Sequence, residues 1–187
     1  MPHLMLKDLP RYECLLDASR EFPDLDPSAT EAFLHLLRAG DEAFRVAEQH
    51  FAEYDITHGR FGVLMALWGQ CQREGREMPL SPAEIADRTG VTRATVTGLI
   101  DTLERAELVA RSPHSGDRRM TSVVLTSKGE KLLQRILPAH FRLMTWLMSG
   151  LDEAERKTFT QLLTKVLSRA AERPTANEEV ETAANRP

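Results

Sequence analysis

The chain has 187 residues, 42% of them hydrophobic, and its formal net charge is −4. This composition predicts one folded domain, with or without extensions, and argues against a disordered chain. A net negative charge gives no support to nonspecific nucleic-acid binding. The cysteines, Cys14 and Cys71, do not stand at metal-ligand spacing. No apolar run approaches the ~20 residues of a membrane span, and the N-terminus lacks a signal-peptide pattern. We therefore predict a cytoplasmic protein without metal, cofactor or membrane partner.

Helix-capping patterns predict a mostly helical fold. In four places a serine or aspartate precedes a glutamate by three residues, so that the two side chains can satisfy free amides at a helix start. These patterns begin at Ser28, Ser81, Ser127 and Asp152. In chain order, the predicted helices cover residues 9–21, 29–54 and 57–73, a pair within 81–107, and then 127–148 and 152–171. The tail from Glu172 lacks aromatic residues and is predicted to be disordered.

Residues 81–126 carry the clearest functional pattern. They predict two short helices joined by a tight turn, then a strand, a polar tip and a return strand. This order describes a winged helix-turn-helix, which places its second helix in the major groove of DNA. Apolar residues of the second helix follow the spacing of a buried face: Val96, Leu99, Ile100 and Leu103.

The opposite face of that second helix suits close contact with a groove. Its residues are small or carry hydroxyl groups, with one arginine: Arg93, Ala94, Thr95, Thr97, Gly98 and Thr102. Threonines can bond phosphates or base edges, and an arginine can bond guanine through two hydrogen bonds. Thr92 is expected to cap this helix and leave amides free for a phosphate. Ser81, at the start of the preceding helix, is also expected to contact DNA.

The polar tip between the strands adds two cations. Arg118 and Arg119 can enter the minor groove, where the potential is most negative, and Asp117 is expected to orient an arginine by an ion pair. The alternative is that the helix pair is ordinary core and the tip a solvated charged turn. Residues 81–126 contain six arginines and six carboxylate side chains, so the segment has no net charge. Any affinity for DNA must therefore come from where the charges stand.

Five segments, 80–86, 91–97, 103–111, 116–119 and 125–129, resemble the MarR family of bacterial transcriptional regulators. The resemblance is specific over residues 57–171 and looser before them. It implies a mainly α fold with a small β-hairpin wing, in which a DNA-binding lobe joins a helical dimerisation lobe. It also implies a two-fold dimer that binds a pseudo-palindrome in double-stranded DNA.

One residue departs from the family pattern. Glu107 stands where the family usually has glycine at the end of the second helix of the motif. A left-handed cap there would cost a residue other than glycine ~1 kcal/mol or more. We therefore expect this turn to be built differently.

The resemblance implies the following organisation. Residues 1–27 form an extension with a short helix, 28–171 the MarR-type domain, and 172–187 the tail. Within the domain, 57–126 include the winged helix-turn-helix with 81–126 as its core, and 28–56 and 127–171 serve dimerisation. Apolar residues expected in the dimerisation lobe are Phe33, Leu36, Leu143, Trp146, Leu147, Phe159 and Leu163.

Regulators of this family often respond to small aromatic or phenolic acids, which implies that DNA release by such a ligand is the switch. Candidate lining residues combine aromatic and cationic side chains: His35, Arg38, Phe61, Met65, Trp68 and His140. Aromatic residues at helical spacing are more often part of the core, and histidines and arginines at the surface are more often solvated. The extra N-terminal helix resembles the urate-responding branch, but Tyr12 and Gly62 stand where that branch uses tryptophan and aspartate.

The sequence leaves alternatives to a ligand-responsive DNA-binding regulator. One is a protein-only interaction module, which would keep the dimerisation helices but have no use for a polar recognition face and a wing with paired arginines. A redox-responsive regulator would use Cys14, which lies near Tyr12, although the neighbouring Glu13 disfavours a thiolate. An enzyme is not expected, because the sequence has no nucleophile–base pattern, metal spacing or phosphate-binding loop.

Overall fold

A computed structural model of the chain describes Leu4 and residues 8–74, 79–113 and 121–172. Helices predominate in this part, as predicted, and a two-stranded hairpin accompanies them. The elements are α1 (Tyr12–Glu21), α2 (Pro27–Ala52), α3 (His58–Glu74), α4 (Pro82–Thr89), α5 (Arg93–Arg105), β1 (Val109–Pro113), β2 (Thr121–Leu125), α6 (Ser127–Leu147) and α7 (Glu153–Ala171). The chain divides into two compact units, Met1–Phe141 and Arg142–Pro187. The tail predicted to be disordered lies, beyond Glu172, outside the described residues.

The core of the first unit surrounds α5. Its fully buried side chains come from α2, α3, α4, α5, the hairpin and the first half of α6, and include Phe51, Leu64, Ile85, Ile100, Leu103, Val123, Leu133 and Ile136. Burying one such side chain contributes about 1.5–3 kcal/mol, so α5 is fixed by its apolar face. Helix α1 contacts α2 and buries Leu15.

Two of the four predicted caps are confirmed. Ser81 and Asp152 each form a reciprocal capping box, with Glu84 and Glu155 respectively. These boxes set the starts of α4 and α7 at the expected residues.

The other two predicted caps are wrong by one or two residues. Helix α2 begins at Pro27, and the Asp26 side chain accepts hydrogen bonds from two amides of the first turn. These bonds, first of all that from Ala29, lower the pKa of the Asp26 carboxyl group. At α6, the Thr126 hydroxyl accepts from the Gly129 amide at 3.1 Å. In both places a residue with a side-chain oxygen lies before the predicted serine and takes the capping position first.

The hairpin is antiparallel and short. Its register places Val109 opposite Leu125 and Pro113 opposite Thr121. Leu80 extends it by one antiparallel bridge to Val123, with N–O distances of 3.0 and 2.8 Å. Leu80, two residues before α4, is thereby tied to the same hairpin that follows α5.

The second unit leaves much apolar surface exposed. Helix α7 has no buried residue, and Trp146 and Leu167 are 64% and 70% exposed. None of the seven residues predicted for the dimerisation lobe is buried within the single chain. Among the described residues, no helix combines the length and the apolar character that crossing a bilayer requires.

Candidate DNA-binding site

A left-handed turn joins α4 to α5. Gly90 has φ 68°, a conformation that favours glycine, and the amides of Gly90 and Val91 both donate to the Ala86 carbonyl. Thr92 then caps α5 by accepting from the Thr95 amide at 3.2 Å. Val96, Ile100 and Leu103 are fully buried, and Leu99 is partly buried against the same core. The structure thus forms the predicted helix-turn-helix with the predicted buried face.

The outer face of α5 is exposed at each of the five residues predicted to meet DNA: Arg93, Ala94, Thr95, Thr97 and Gly98. The Thr97 hydroxyl donates to the Arg93 carbonyl at 2.9 Å, so its oxygen is left as an acceptor. A Cβ atom built on Gly98 would meet no atom within 4 Å. The face is therefore open to the close approach of a partner.

Charge along α5 is separated between its two ends. Asp101 and Glu104, on the C-terminal half, both bind Arg111 of β1, with a guanidinium-to-carboxylate distance of 2.6 Å for Glu104. The bond to Asp101, followed by the nearby charge of Glu104, raises the pKa of Arg111 against the opposing effect of burial. At the N-terminal end, Arg93 makes no ion pair with any residue that the structure describes. A segment of balanced charge therefore presents a free cation where α5 begins.

The two ion pairs of Arg111 with Asp101 and Glu104, here called the Arg111 clamp, were not found from the sequence. Its partners lie seven and ten residues away and on a different element. The only local signal is the pair of acidic residues three positions apart on one side of α5. The clamp connects the first wing strand directly to the helix whose outer face is exposed.

Ser81 does not lie on this exposed face, which corrects its predicted contact with DNA. It is 6% exposed, and its hydroxyl donates to the Glu84 carboxylate at 2.7 Å. The Ser81 hydroxyl forms the hydrogen bonds of the helix cap with Glu84, so it is not available to contact DNA. Arg118, Arg119 and Asp117 fall in residues 114–120, outside the described part of the chain, so the structure says nothing of their side chains.

The turn after α5 is left-handed without a glycine, so the expectation that Glu107 would require a different turn is wrong. Glu107 has φ 61°, and the Leu108 amide donates to the Leu103 carbonyl at 2.9 Å. The start of α6 holds this turn: Thr126 donates to the Glu107 carbonyl at 2.7 Å, and Lys128 pairs with the Glu107 carboxylate at 3.0 Å.

Backbone contact completes that attachment. The Thr126 amide donates to the Leu108 carbonyl at 3.1 Å. Gly129 faces the same carbonyl so closely that an added Cβ atom would lie 2.2 Å from its oxygen. The turn that follows α5 therefore packs closely against the first turn of α6.

The structure brings together only part of the predicted ligand-binding set. The rings of Phe61 and His140 are 5.0 Å apart, and Phe61 is buried. Met65 and Trp68 pack against the core. His35 bonds the Glu31 carbonyl and Arg38 pairs with Glu42, both along α2.

A histidine that the sequence reasoning missed lies beside His140. The rings of His50 and His140 stack at 5.6 Å, and neither the His50 Nε2 atom nor the His140 Nδ1 atom has a hydrogen-bond partner among the described residues. Burial, and then the nearby His50 and His58, lower the pKa of His140. The pair comes from α2 and α6, so local periodicity could not reveal it.

Cys14 is an exposed free thiol on α1. Exposure permits oxidation but singles out no partner, so redox control gains no support from the structure. Within the described ranges, His, Cys, Asp and Glu residues form no group of three that could hold a metal ion.

Comparison with known proteins gives consistent matches. Residues 71–121 match the model of the MarR family. The chain is 33% identical over 164 residues to the HTH-type transcriptional repressor YetL of Bacillus subtilis (strain 168), covering 88% of this chain and 95% of YetL. Among solved structures, it is similar to BpsR of Bordetella bronchiseptica, whose DNA binding is regulated by 6-hydroxynicotinic acid. The TM-score is 0.61 and the identity 30%, and the match covers 72% of this chain and 98% of BpsR. It is also similar to S. aureus MepR in complex with DNA, with a TM-score of 0.62, 28% identity and coverage of 75% and 95%.

Proposed function

This chain belongs to the MarR family of winged-helix DNA-binding transcription regulators, which are not enzymes, and we propose that it is a repressor acting as a homodimer. The proposed target is a pseudo-palindromic site in double-stranded DNA, and the proposed release signal is a small aromatic acid. The observation that carries the proposal is the outer face of α5, where Arg93 and a surface without bulky side chains stand on a helix fixed by its buried face.

The geometry supports distinct tasks for the residues of this face. Arg93 has the length and the donors to bond guanine in the major groove. The Thr95 and Thr97 hydroxyls suit phosphate or base edges, and the open space beside Gly98 suits close approach to the groove floor. The wing residues Arg118 and Arg119 remain proposed minor-groove contacts, with Asp117 as their orienting partner.

Exposed apolar surface supports a homodimer. Phe33 on α2 is 57% exposed, and on α7 Phe159, Leu162 and Val166 follow one helical face at 40, 53 and 48% exposure. A soluble monomer rarely leaves so many large apolar side chains in water. We propose a second copy of the chain as the occupant, because a two-fold dimer matches two half-sites one helical turn of DNA apart.

The proposed aromatic acid rests on a relative and on one contact. BpsR is regulated by 6-hydroxynicotinic acid, an aromatic acid. In this chain Phe61 and His140 pack together, and the unpartnered nitrogens of His50 and His140 offer hydrogen bonds to a polar group. These residues are the proposed effector contacts, whereas His35 and Arg38 have partners along α2.

Fluorescence anisotropy with the DNA upstream of the chain's own gene tests the DNA-binding proposal. We expect Arg93→Ala to weaken specific binding by ~1–3 kcal/mol, roughly five- to 150-fold, because a bidentate base contact is lost. Arg105→Ala is the matched control, since it removes the same charge from the opposite end of α5. Equal losses for both variants, or equal losses for Arg93→Ala on specific and unrelated DNA, would show that Arg93 does not read a base.

A further inference from the structure

The Thr97 hydroxyl on the outer face of α5 has no proton to offer a partner. Its oxygen lies 2.9 Å from the Arg93 carbonyl oxygen, and a carbonyl only accepts, so the hydroxyl proton is in this bond. Within a helix, threonine rotamers place the hydroxyl beside a carbonyl of the preceding turn, which keeps the bond in place. Thr97 is exposed, and it therefore presents to its surroundings an oxygen that accepts hydrogen bonds but does not donate them.

Thr92 and Thr95, on the first turn of the same helix, keep a proton to donate. Their hydroxyl oxygens lie 2.9 Å apart and share one hydrogen bond, and the Thr92 oxygen also accepts from the Thr95 amide at 3.2 Å. A single bond between two hydroxyl groups uses one of their two protons. The second proton has no acceptor among the residues that the structure describes, so this pair can donate to a partner.

DNA offers different partners to these two kinds of hydroxyl group. Phosphate oxygens only accept hydrogen bonds, so they suit the donating pair. In the major groove, guanine and thymine also present only acceptors, and the donors are the amino groups of adenine and cytosine. A hydroxyl oxygen that only accepts can therefore bond an adenine or a cytosine, but not a phosphate, a guanine or a thymine.

The surroundings of Thr97 favour a base edge over a phosphate. Thr97 is the fifth residue of α5, and the N-terminal part of a recognition helix is the part that contacts base edges. Ala94 and Gly98 beside it add no bulk, and a Cβ atom on Gly98 would meet nothing within 4 Å. Asp101, one turn further along, carries a carboxylate that Arg111 holds, and a carboxylate is an unfavourable neighbour for a phosphate.

We propose that Thr97 determines specificity by accepting a hydrogen bond from the amino group of an adenine or a cytosine in each half-site, whereas the Thr92–Thr95 pair donates to a phosphate. This assignment rests on the proposed DNA-binding function and deepens it, because it names the class of base that Thr97 selects. Arg93 lies one turn before Thr97 and offers only donors, with guanine as its proposed partner. One helical turn thus presents a donor and then an acceptor to the groove.

Two variants of Thr97 test the base preference. Thr97→Val removes the hydroxyl group and keeps the shape of the side chain, whereas Thr97→Ser keeps the hydroxyl group. Fluorescence anisotropy is measured with the DNA upstream of the chain's own gene and with each single base-pair substitution of the bound site. Thr97→Val should lose a preference of about two- to tenfold for adenine or cytosine at one position of each half-site, which is the value of one hydrogen bond, and Thr97→Ser should retain it. Unchanged preferences in Thr97→Val would overturn the assignment.

Modified bases test the amino group itself. Replacing adenine with 2-aminopurine, or cytosine with N4-methylcytosine, removes the amino hydrogen that faces the major groove and keeps the base pair. At the position that Thr97 selects, this replacement in one half-site should weaken binding of the wild type about two- to tenfold and leave the affinity of Thr97→Val unchanged. Equal weakening of both proteins would mean that another residue reads the amino group, and would overturn the assignment.

Thr95→Val is the matched control, because it removes a hydroxyl group from the same face that is assigned to a phosphate. Its affinity should fall equally on specific and unrelated DNA, since a phosphate carries no sequence information. An equal fall on all DNA for Thr97→Val would instead assign Thr97 to a phosphate and overturn the proposal. Thermal unfolding of each variant checks that it is folded.

The wild type separates failure of this assignment from failure of the proposed function. If the wild type shows no preference for any DNA sequence, the proposed function is rejected and the assignment with it. If the wild type prefers a sequence and Thr97→Val keeps every part of that preference, only the role of Thr97 is rejected.

Discussion

Replacing Glu107 with glycine should stabilise the protein, although it removes an ion pair. Glu107 has φ 61°, where a side chain costs about 1–2 kcal/mol relative to glycine. Its side chain is 81% exposed and pairs with a Lys128 that is 59% exposed, so this pair contributes about 0.2–1 kcal/mol. Glycine also gains freedom in the unfolded chain, which offsets part of the relief. The balance is a stabilisation of roughly 0.5 kcal/mol, or about 1–2 °C in Tm for a chain of this length.

Comparison with Glu107→Ala isolates the backbone contribution. Alanine keeps the strain and loses the ion pair, so this variant should be less stable than the wild type by up to about 1 kcal/mol. The free energy of unfolding of the glycine variant should exceed that of the alanine variant by about 1 kcal/mol or more. Both variants lack the carboxylate, but only glycine removes the strain of the left-handed backbone. Thermal unfolding followed by circular dichroism, at one fixed protein concentration, measures both. A glycine variant no more stable than the alanine variant would refute the reasoning.

Two further predictions concern close packing and pH. Gly129→Ala should destabilise the protein by about 1–3 kcal/mol or more, since its Cβ would lie 2.2 Å from the Leu108 carbonyl oxygen. The control Gly40→Ala, whose Cβ would meet nothing within 4 Å, should stabilise the protein by up to ~1 kcal/mol. Similar thermal unfolding curves for the two variants would contradict the clash at Gly129. Because folding lowers the pKa of His140, the unfolded chain binds the extra proton, and stability should fall as pH drops below about 6.5 towards the folded pKa. His140→Phe should flatten that fall in denaturant titrations between pH 7.5 and pH 5, and an unchanged slope would exclude His140 as its source.

The outer face of α5 was predictable because its signal is local. A helical period places Val96, Ile100 and Leu103 on one side, and burial of that side leaves Arg93 and its neighbours exposed. Ser81 shows the limit of the same method. The sequence marks it both as a cap and as a DNA contact, and only the fold shows that its hydroxyl is buried against Glu84.

The contacts that hold α5 in place could not be predicted, because their partners are remote in the sequence. Arg111 and Asp101 are ten residues apart and Lys128 and Glu107 are 21 apart, with no fixed spacing that would relate them. The left-handed Glu107 is a related case. Intrinsic preference favours glycine there, but attachment of the turn to α6 overrides that preference.

These remote contacts bear on the proposed release of DNA by a ligand. The N-terminal end of α5 is set by the Gly90 turn and the Thr92 cap, within the helix-turn-helix itself. The C-terminal end depends on other elements, namely Arg111 of β1 and the Thr126 and Lys128 side chains at the start of α6. A change at the start of α6 therefore acts on the end of α5 far from Arg93. Since allosteric coupling is typically 1–3 kcal/mol, losing one exposed ion pair and one hydrogen bond at this junction is a change of sufficient size.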